Sequence, residues 1–175
     1  MEAVNKIGES VLMAASSGRN IKLVKYLCEE KNADVFARDK YGGGVLSRCC
    51  LWHDNLELTR YFVENWRLDV NATSKEGHSC LMNAARNNLE AVKYLISKGA
   101  DPYARNKKGW NALFYACRTH KEDIVLYLIK KHKMDLNEKD KTGRSAEQAA
   151  FYFRGVCPKE FCKFLSDLKS GAVSP

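Results

Sequence analysis

The residues of this chain best equipped for chemistry are its seven cysteines and four histidines. Thiolates and imidazoles ligate zinc and act as nucleophile and base, but they do so at restricted spacings. Cys28, Cys49, Cys50, Cys80, Cys117, Cys157 and Cys162 contain no C-x-x-C, and His53, His78, His120 and His132 contain no H-x-x-x-H. The nearest approach to a metal half-site is Cys117-Arg118-Thr119-His120, with no second half at a recognisable spacing. These residues therefore read as free thiols in a reducing compartment, with neither a metal site nor a disulfide framework. Other catalytic signatures fare no better. The chain has no G-x-S-x-G, no H-E-x-x-H, no glycine-rich phosphate loop followed by lysine and no paired carboxylates in an apolar setting. Gly42-Gly43-Gly44 lacks the G-x-x-x-x-G-K spacing and reads as a flexible hairpin tip. No catalytic residue, metal or cofactor is assigned, and the chain is expected not to be an enzyme.

The 175 residues are 45% hydrophobic and 29% charged, with 29 basic against 21 acidic residues for a net charge of +8. That suffices for one buried core and argues against a wholly disordered chain. No stretch approaches the roughly 18 apolar residues of a membrane span. The apolar run Val11-Leu12-Met13-Ala14-Ala15 is shorter than the roughly 7 residues of a signal-peptide core. A cytoplasmic location is expected, with the nucleus as the alternative.

What must position any functional side chain is a repeat. Glycines recur at Gly8, Gly42, Gly77, Gly109 and Gly143, spaced by 34, 35, 32 and 34. Four residues after the first four of them stand Leu12, Leu46, Leu81 and Leu113. Mostly small pairs follow at Ala15-Ser16, Cys49-Cys50, Ala84-Ala85, Ala116-Cys117 and Ala150-Phe151. Apolar quartets at helical spacing come next, as in Leu58, Thr59, Phe62, Val63 and Ile124, Val125, Leu128, Ile129. Asp-containing turns close the units at Asp34, Asp69, Asp101 and Asp135. Each unit thus reads as a short helix, a turn, a longer helix and an extended loop. Ser10, Ser79, Asn111 and Ser145 stand at the N-caps of the short helices. A single unit cannot bury its apolar face, so five stack into an all-α solenoid with contacts between neighbours. The expected repeats are 5–38, 39–73, 74–105, 106–139 and 140–169, one domain over 1–169, with 170–175 as a mobile tail.

The array resembles the ankyrin-repeat family over nearly the whole chain, best in Gly77-His-Ser-Cys-Leu-Met-Asn-Ala-Ala-Arg-Asn-Asn-Leu-Glu-Ala-Val-Lys-Tyr-Leu-Ile-Ser-Lys-Gly-Ala-Asp101. The resemblance implies helix-turn-helix units joined by β-hairpin-like loops, with a concave face. The family's Thr-Pro-Leu-His start is nowhere intact: its proline column holds Val11, Val45, Cys80, Ala112 and Ala146. Its histidine column holds Met13, Ser47, Met82, Phe114 and Gln148, so the family's threonine–histidine hydrogen bonds are expected to be absent. The helix-ending glycine survives only as Gly99; Asn32 tolerates left-handed geometry, whereas Arg67 and Lys133 must adopt it at a cost or force another exit. Repeat two, with an insertion near Trp52 to Asn55 and three consecutive glycines, is expected to be the loosest. In repeat five, Glu147 replaces the leucine and Pro158 opens a helix striped by Phe161, Phe164, Leu165 and Leu168, as suits a C-terminal cap. No comparable N-terminal cap is visible.

The aromatic residues divide by repeat phase. Tyr26, Tyr61, Tyr94, Tyr127 and Phe164 share one column on the second helices and read as a packing ladder, while Trp66 is ambiguous. Tyr41 and Trp110 flank glycines at hairpin tips, and Leu51 and Trp52 sit late on a first helix. The family resemblance implies that these columns line the concave face. They are also basic, with Lys107 and Lys108 at a tip and Arg86 and Arg118 on first helices. Aromatics and arginine dominate binding hot spots; singly, however, such lysines also suit solvated loops. Tyr41, Leu51, Trp52, Arg86, Lys107, Lys108, Trp110 and Arg118 are therefore the candidate partner-binding residues. On this reading Trp110→Ala and Arg118→Glu weaken binding with little change in melting temperature.

The expected function is a non-catalytic protein–protein interaction module, an adaptor, scaffold or inhibitor, whose partner segment carries acidic and apolar residues. The alternative is the recognition domain of a larger enzyme, channel or ubiquitin-ligase subunit; Met1 and the short chain favour the first only mildly. A basic nucleic-acid-binding module is the weaker competitor, because acidic residues interrupt most basic runs. Lys130-Lys131-His132-Lys133 suits the negative end of a helix dipole better than a nuclear signal. Asn71 and Asn137 fall where the family can be hydroxylated, a modification not expected to be prominent here.

Overall fold

The computed structural model describes residues 3–18, 20–52, 55–151 and 158–170. The segment 171–175, Cys157, His53 and Asp54 lie outside the described residues. Among the described residues, ten α-helices run in pairs: α1 (Val11–Ser16) and α2 (Ile21–Lys25), α3 (Val45–Cys49) and α4 (Leu56–Asn65), α5 (Cys80–Ala84) and α6 (Leu89–Ser97), α7 (Ala112–Arg118) and α8 (Glu122–His132), α9 (Ala146–Ala149) and α10 (Lys159–Ser170). A π-helical turn, Tyr26–Glu30, extends α2. First helices stack in one row, α1 on α3, α3 on α5, α5 on α7 and α7 on α9, while α4, α6 and α8 form a second row.

The sequence columns explain the stacking. Leu12, Leu46, Leu81 and Leu113 are buried, as are Cys49, Cys50, Ala84, Ala85, Ala116 and Cys117, whose small volume brings neighbouring first helices together. The second-helix stripes bury Leu58, Thr59 and Phe62, then Ala91, Val92 and Leu95, then Ile124, Val125 and Leu128. Ser10, Ser79, Asn111 and Ser145 accept the amide of the third helical residue, as N-caps do. Repeat two lacks this help: Gly44 caps α3 without a side chain. Among the described residues there is no strand, but antiparallel bridges Val4–Ser10, Thr73–Ser79 and Lys139–Ser145 give the loops hairpin character.

The hairpins are tied to one another. An amide of each loop donates to a carbonyl of the loop before it: Lys40 to Ile7, Lys75 to Tyr41, Lys107 to Glu76 and Lys141 to Lys108, at 2.8–3.0 Å. This contact is why glycine recurs. Gly109 has φ +83°, and a Cβ there would meet the Lys141 nitrogen at 3.0 Å. Three residues earlier Asp39, Asn106 and Asp140 turn the loop by accepting two backbone amides each on Oδ1.

The second helices end in left-handed residues at Asn32, Arg67, Gly99 and Lys133. Arg67 and Lys133 therefore accept the strained conformation at φ +51° and +53°, costing about 1–2 kcal/mol each. In the tyrosine ladder, Tyr61 donates to Glu29 at 2.9 Å and Tyr94 to Glu64 at 3.1 Å, each reaching back one repeat. Lys25 and Arg60 of the preceding repeat cover those two rings at 5.6 and 4.8 Å. Trp66 packs against the core. At the C-terminal end Phe161 and Leu165 are buried, and Glu147 pairs with Lys169 of α10. Pro158 immediately precedes α10, its carbonyl accepting the Cys162 amide at 3.0 Å.

A candidate partner-binding groove

Hairpin tips and first helices of repeats two to four enclose an open groove of about 500 Å³. Two sets of columns supply its walls. From the tips come Asp39, Tyr41, Glu76, His78, Lys108 and Trp110; from α3, α5 and α7 come Ser47, Arg48, Asn83, Tyr115 and Arg118, and from the turns just past α3 and α5 come Leu51 and Arg86. Six of the eight expected residues line it: Tyr41, Leu51, Arg86, Lys108, Trp110 and Arg118. Trp52 lies outside it and is 55% exposed, while Lys107 pairs with Glu76 at 3.2 Å.

Trp110 differs from its expected role as an exposed tip residue. Only 3% of it is accessible. Its indole N–H donates to Asp140 Oδ2 at 2.8 Å, and its ring stacks on Phe114 and meets the edge of Tyr115. The ring is a wedge between repeats four and five, so Trp110→Ala cannot leave the melting temperature unchanged. Its contribution to the groove is to carry Arg118, whose guanidinium lies 5.6 Å from the ring centroid.

His78, Arg48, Asn83 and Tyr115 also line the groove and were not singled out from sequence. The available signal was the column six residues after each glycine, where Arg48, Asn83 and Tyr115 are large or polar beside otherwise small neighbours. Asn83 ties α5 to α3 by donating to Ser47 Oγ at 3.0 Å, and Asn106 donates to the Tyr115 hydroxyl at 3.0 Å. Burial pushes the Tyr115 hydroxyl above its ordinary range.

The charges in the groove are unevenly compensated. Arg48 pairs with Asp39 at 2.7 Å and with Glu9 at 3.6 Å, and Lys107 pairs with Glu76, so both groove carboxylates have a basic partner. Among the described residues, Arg86 and Lys108 have no ion-pair partner. His78 lines the same groove, edge-to-face on Tyr115 at 5.8 Å. Burial lowers the His78 imidazole below its ordinary value, the cations Lys108, Arg86 and Arg118 lower it further, and Glu76 only partly opposes them.

Away from the groove, burial raises the Cys28 thiol to about 11 and pushes Cys49 far above its ordinary range, the opposite of an activated nucleophile. No group of three or more potential metal ligands occurs among the described residues. Asn71 donates to the Gly99 carbonyl and accepts the Asp101 amide, both at 2.9 Å, so its carboxamide already bridges two repeats. No helix among the described residues is long and apolar enough to cross a membrane.

A family model for ankyrin repeats in three copies matches residues 46–140 and 81–172, and one for a single ankyrin repeat matches 7–40. The chain is 43% identical over 72 residues to Notch-regulated ankyrin repeat-containing protein A of Danio rerio, covering 41% of this chain and 64% of that protein. It is 30% identical over 132 residues to a putative ankyrin repeat protein of Fowlpox virus, covering 74% of this chain and 22% of the relative. It is also 29% identical over 157 residues to alpha-latrocrustotoxin-Lt1a of Latrodectus tredecimguttatus, covering 81% of this chain and 11% of the toxin. The chain spans less than two thirds of the length of these relatives. With the glycine, leucine and small-residue columns in phase along two rows of stacked helices, the chain belongs to the ankyrin-repeat family, whose modules mediate protein–protein interaction.

Proposed function

We propose that this module recruits another protein by holding an acidic, partly apolar segment of it in the groove of repeats two to four. The observation that carries the reading is the convergence of Arg86, Lys108 and Arg118 over a floor of Tyr115, Trp110 and Leu51, with both groove carboxylates already paired. Exposed Tyr41 adds aromatic area at one end. The hairpins that form one wall of the groove are tied to one another by backbone hydrogen bonds, which lowers the ordering cost of binding there. The module performs no chemistry and acts as an adaptor, scaffold or inhibitor; within a longer chain the same groove would serve as a recognition domain. The free thiols Cys28, Cys49, Cys50, Cys80, Cys117 and Cys162 suit a reducing compartment such as the cytoplasm.

The test is comparative affinity capture read by mass spectrometry. Tyr41→Ala combined with Arg86→Glu should lose partners that the wild type and a control, Lys93→Glu on the opposite row of helices, both retain. Identical partner sets for all three proteins would overturn the reading.

A further inference from the structure

We propose that the cavity of about 310 Å³ lined by the loops of repeats one and two is a binding site for a small aromatic carboxamide. It shares only Ser47 and Ser74 with the groove of repeats two to four, and it does not depend on the partner reading of that groove.

The cavity stands where a tie between neighbouring loops is missing. Phe36, Asn71 and Tyr103 hold one position in successive loops, six residues before Gly42, Gly77 and Gly109. Each is set by the same turn, its amide donating at 2.8 Å to the carboxylate of the aspartate two positions earlier. From that position Asn71 bridges to the next loop, donating to the Gly99 carbonyl and accepting the Asp101 amide, both at 2.9 Å. Tyr103 bridges with its hydroxyl, which donates to the His132 carbonyl. Phe36 has no polar side-chain atom to offer, and its ring is 65% exposed. A second strut is missing at the same place. Arg105 reaches the Lys139 carbonyl and pairs with Glu138 of the following loop. Its counterpart Arg38 turns back to the Gly42 carbonyl of its own hairpin at 3.0 Å, and Ala72 stands where Glu138 does.

The missing tie defines the ligand. The counterparts of Gly99 and Asp101 are Arg67 and Asp69, and both line the cavity. Among the described residues, the Arg67 carbonyl and the Asp69 amide have no hydrogen-bond partner. A primary carboxamide answers both at once, its N–H given to the carbonyl and its C=O accepting the amide. That is the pairing the Asn71 side chain makes one repeat later. A carboxylate has no N–H for the Arg67 carbonyl. Much of the remaining lining is apolar, with Val35, Val45, Leu46 and Cys80 buried and Leu68 packed against the core. Apolar walls with one donor and one acceptor suit a ring bearing a carboxamide, and the volume lies at the small end of the ligand range, about 300–1,000 Å³.

The test titrates benzamide into the isotope-labelled full chain and follows its backbone amide resonances. Benzamide should move the Asp69 amide proton saturably, with a dissociation constant in the millimolar range expected of so small a ligand. Benzoate, and N,N-dimethylbenzamide, which keeps ring and carbonyl but has no N–H, should each bind at least about tenfold more weakly. Phe36→Asn places the bridging carboxamide in the gap, so it too should weaken benzamide at least about tenfold, with a Tm no lower than wild type. Phe36→Leu restores no bridge and should retain the response. The site would be overturned by an Asp69 amide that stays still up to tens of millimolar benzamide, or by an unchanged response in Phe36→Asn. Equal loss in Phe36→Leu and Phe36→Asn would overturn it as well, because the aromatic ring alone would then make the site. Benzoate binding as tightly as benzamide would also overturn it, in favour of an anion held by Arg38 or Arg67.

Discussion

Trp110→Ala should destabilise the array strongly, and the structure sets the size of the effect. The ring is 97% inaccessible, stacks on Phe114 and Tyr115, and satisfies Asp140 through its indole nitrogen. Truncating a buried tryptophan to alanine costs about 3–5 kcal/mol. For a chain of this size each kcal/mol lowers Tm by about 2–4 °C, so a fall of about 6–20 °C is expected. Trp110→Phe separates the two contributions. It retains most ring packing and withdraws one donor from Asp140, which should cost about 1–3 kcal/mol. The Asp140 carboxyl adds a pH signature. Burial opposes its ionisation, but hydrogen bonds from Thr142, Trp110 and Arg144 outweigh that and hold it well below the usual carboxylate range. A depressed carboxylate contributes stability that is present above the unfolded value of about 3.9 and lost as pH falls through the folded one. The gap between wild type and Trp110→Phe should therefore be constant near neutrality and narrow as pH drops below about 4. Urea melts of the three proteins at pH 7 and in acid, followed by circular dichroism, provide the measurement. A Trp110→Ala melting point within about 2 °C of wild type, less than one kcal/mol by the same conversion, would refute the buried-wedge account.

The glycine column makes a second prediction. Gly109→Ala should be clearly more destabilising than Gly99→Ala, because both have positive φ but only at Gly109 would the Cβ strike backbone, 3.0 Å from the Lys141 nitrogen; equal thermal shifts would remove the stacking argument. Repeat two should exchange its amides fastest of the internal repeats. Its α3 has no side-chain N-cap, Asn55 spends its amide on the Ser16 carbonyl instead of capping α4, and a cavity of about 310 Å³ is lined mostly by repeat two and the end of repeat one. Uniform protection measured by hydrogen exchange across repeats two to four would contradict this.

Most of the solenoid was legible in the sequence because a repeat makes one local pattern report itself several times. The glycine spacing, the leucine column and the serine or asparagine caps are short-range features, and each recurs at its observed place without knowledge of the neighbours. The groove was legible in part. Arg86, Lys108 and Arg118 stood out as cations in columns that the packing leaves free, whereas His78 did not, since nothing local marks a residue whose importance comes from what faces it.

What the sequence determined by itself is therefore the periodic frame: which residues point inward, where each helix begins and why glycine returns. Tertiary structure decided what depends on adjacency between repeats. Trp110 sits in a tip column by sequence yet is buried, because Asp140 of the next repeat offers its indole a buried partner. Arg67 and Lys133 turn left-handed because the loop must reach the next hairpin, although neither residue type favours that conformation. The groove's carboxylates are held by pairings between residues 9 and 31 positions apart, Arg48 with Asp39 and Lys107 with Glu76. A linear pattern fixes composition along one unit, but which charges cancel is settled by distances across units, and those exist only in the folded stack.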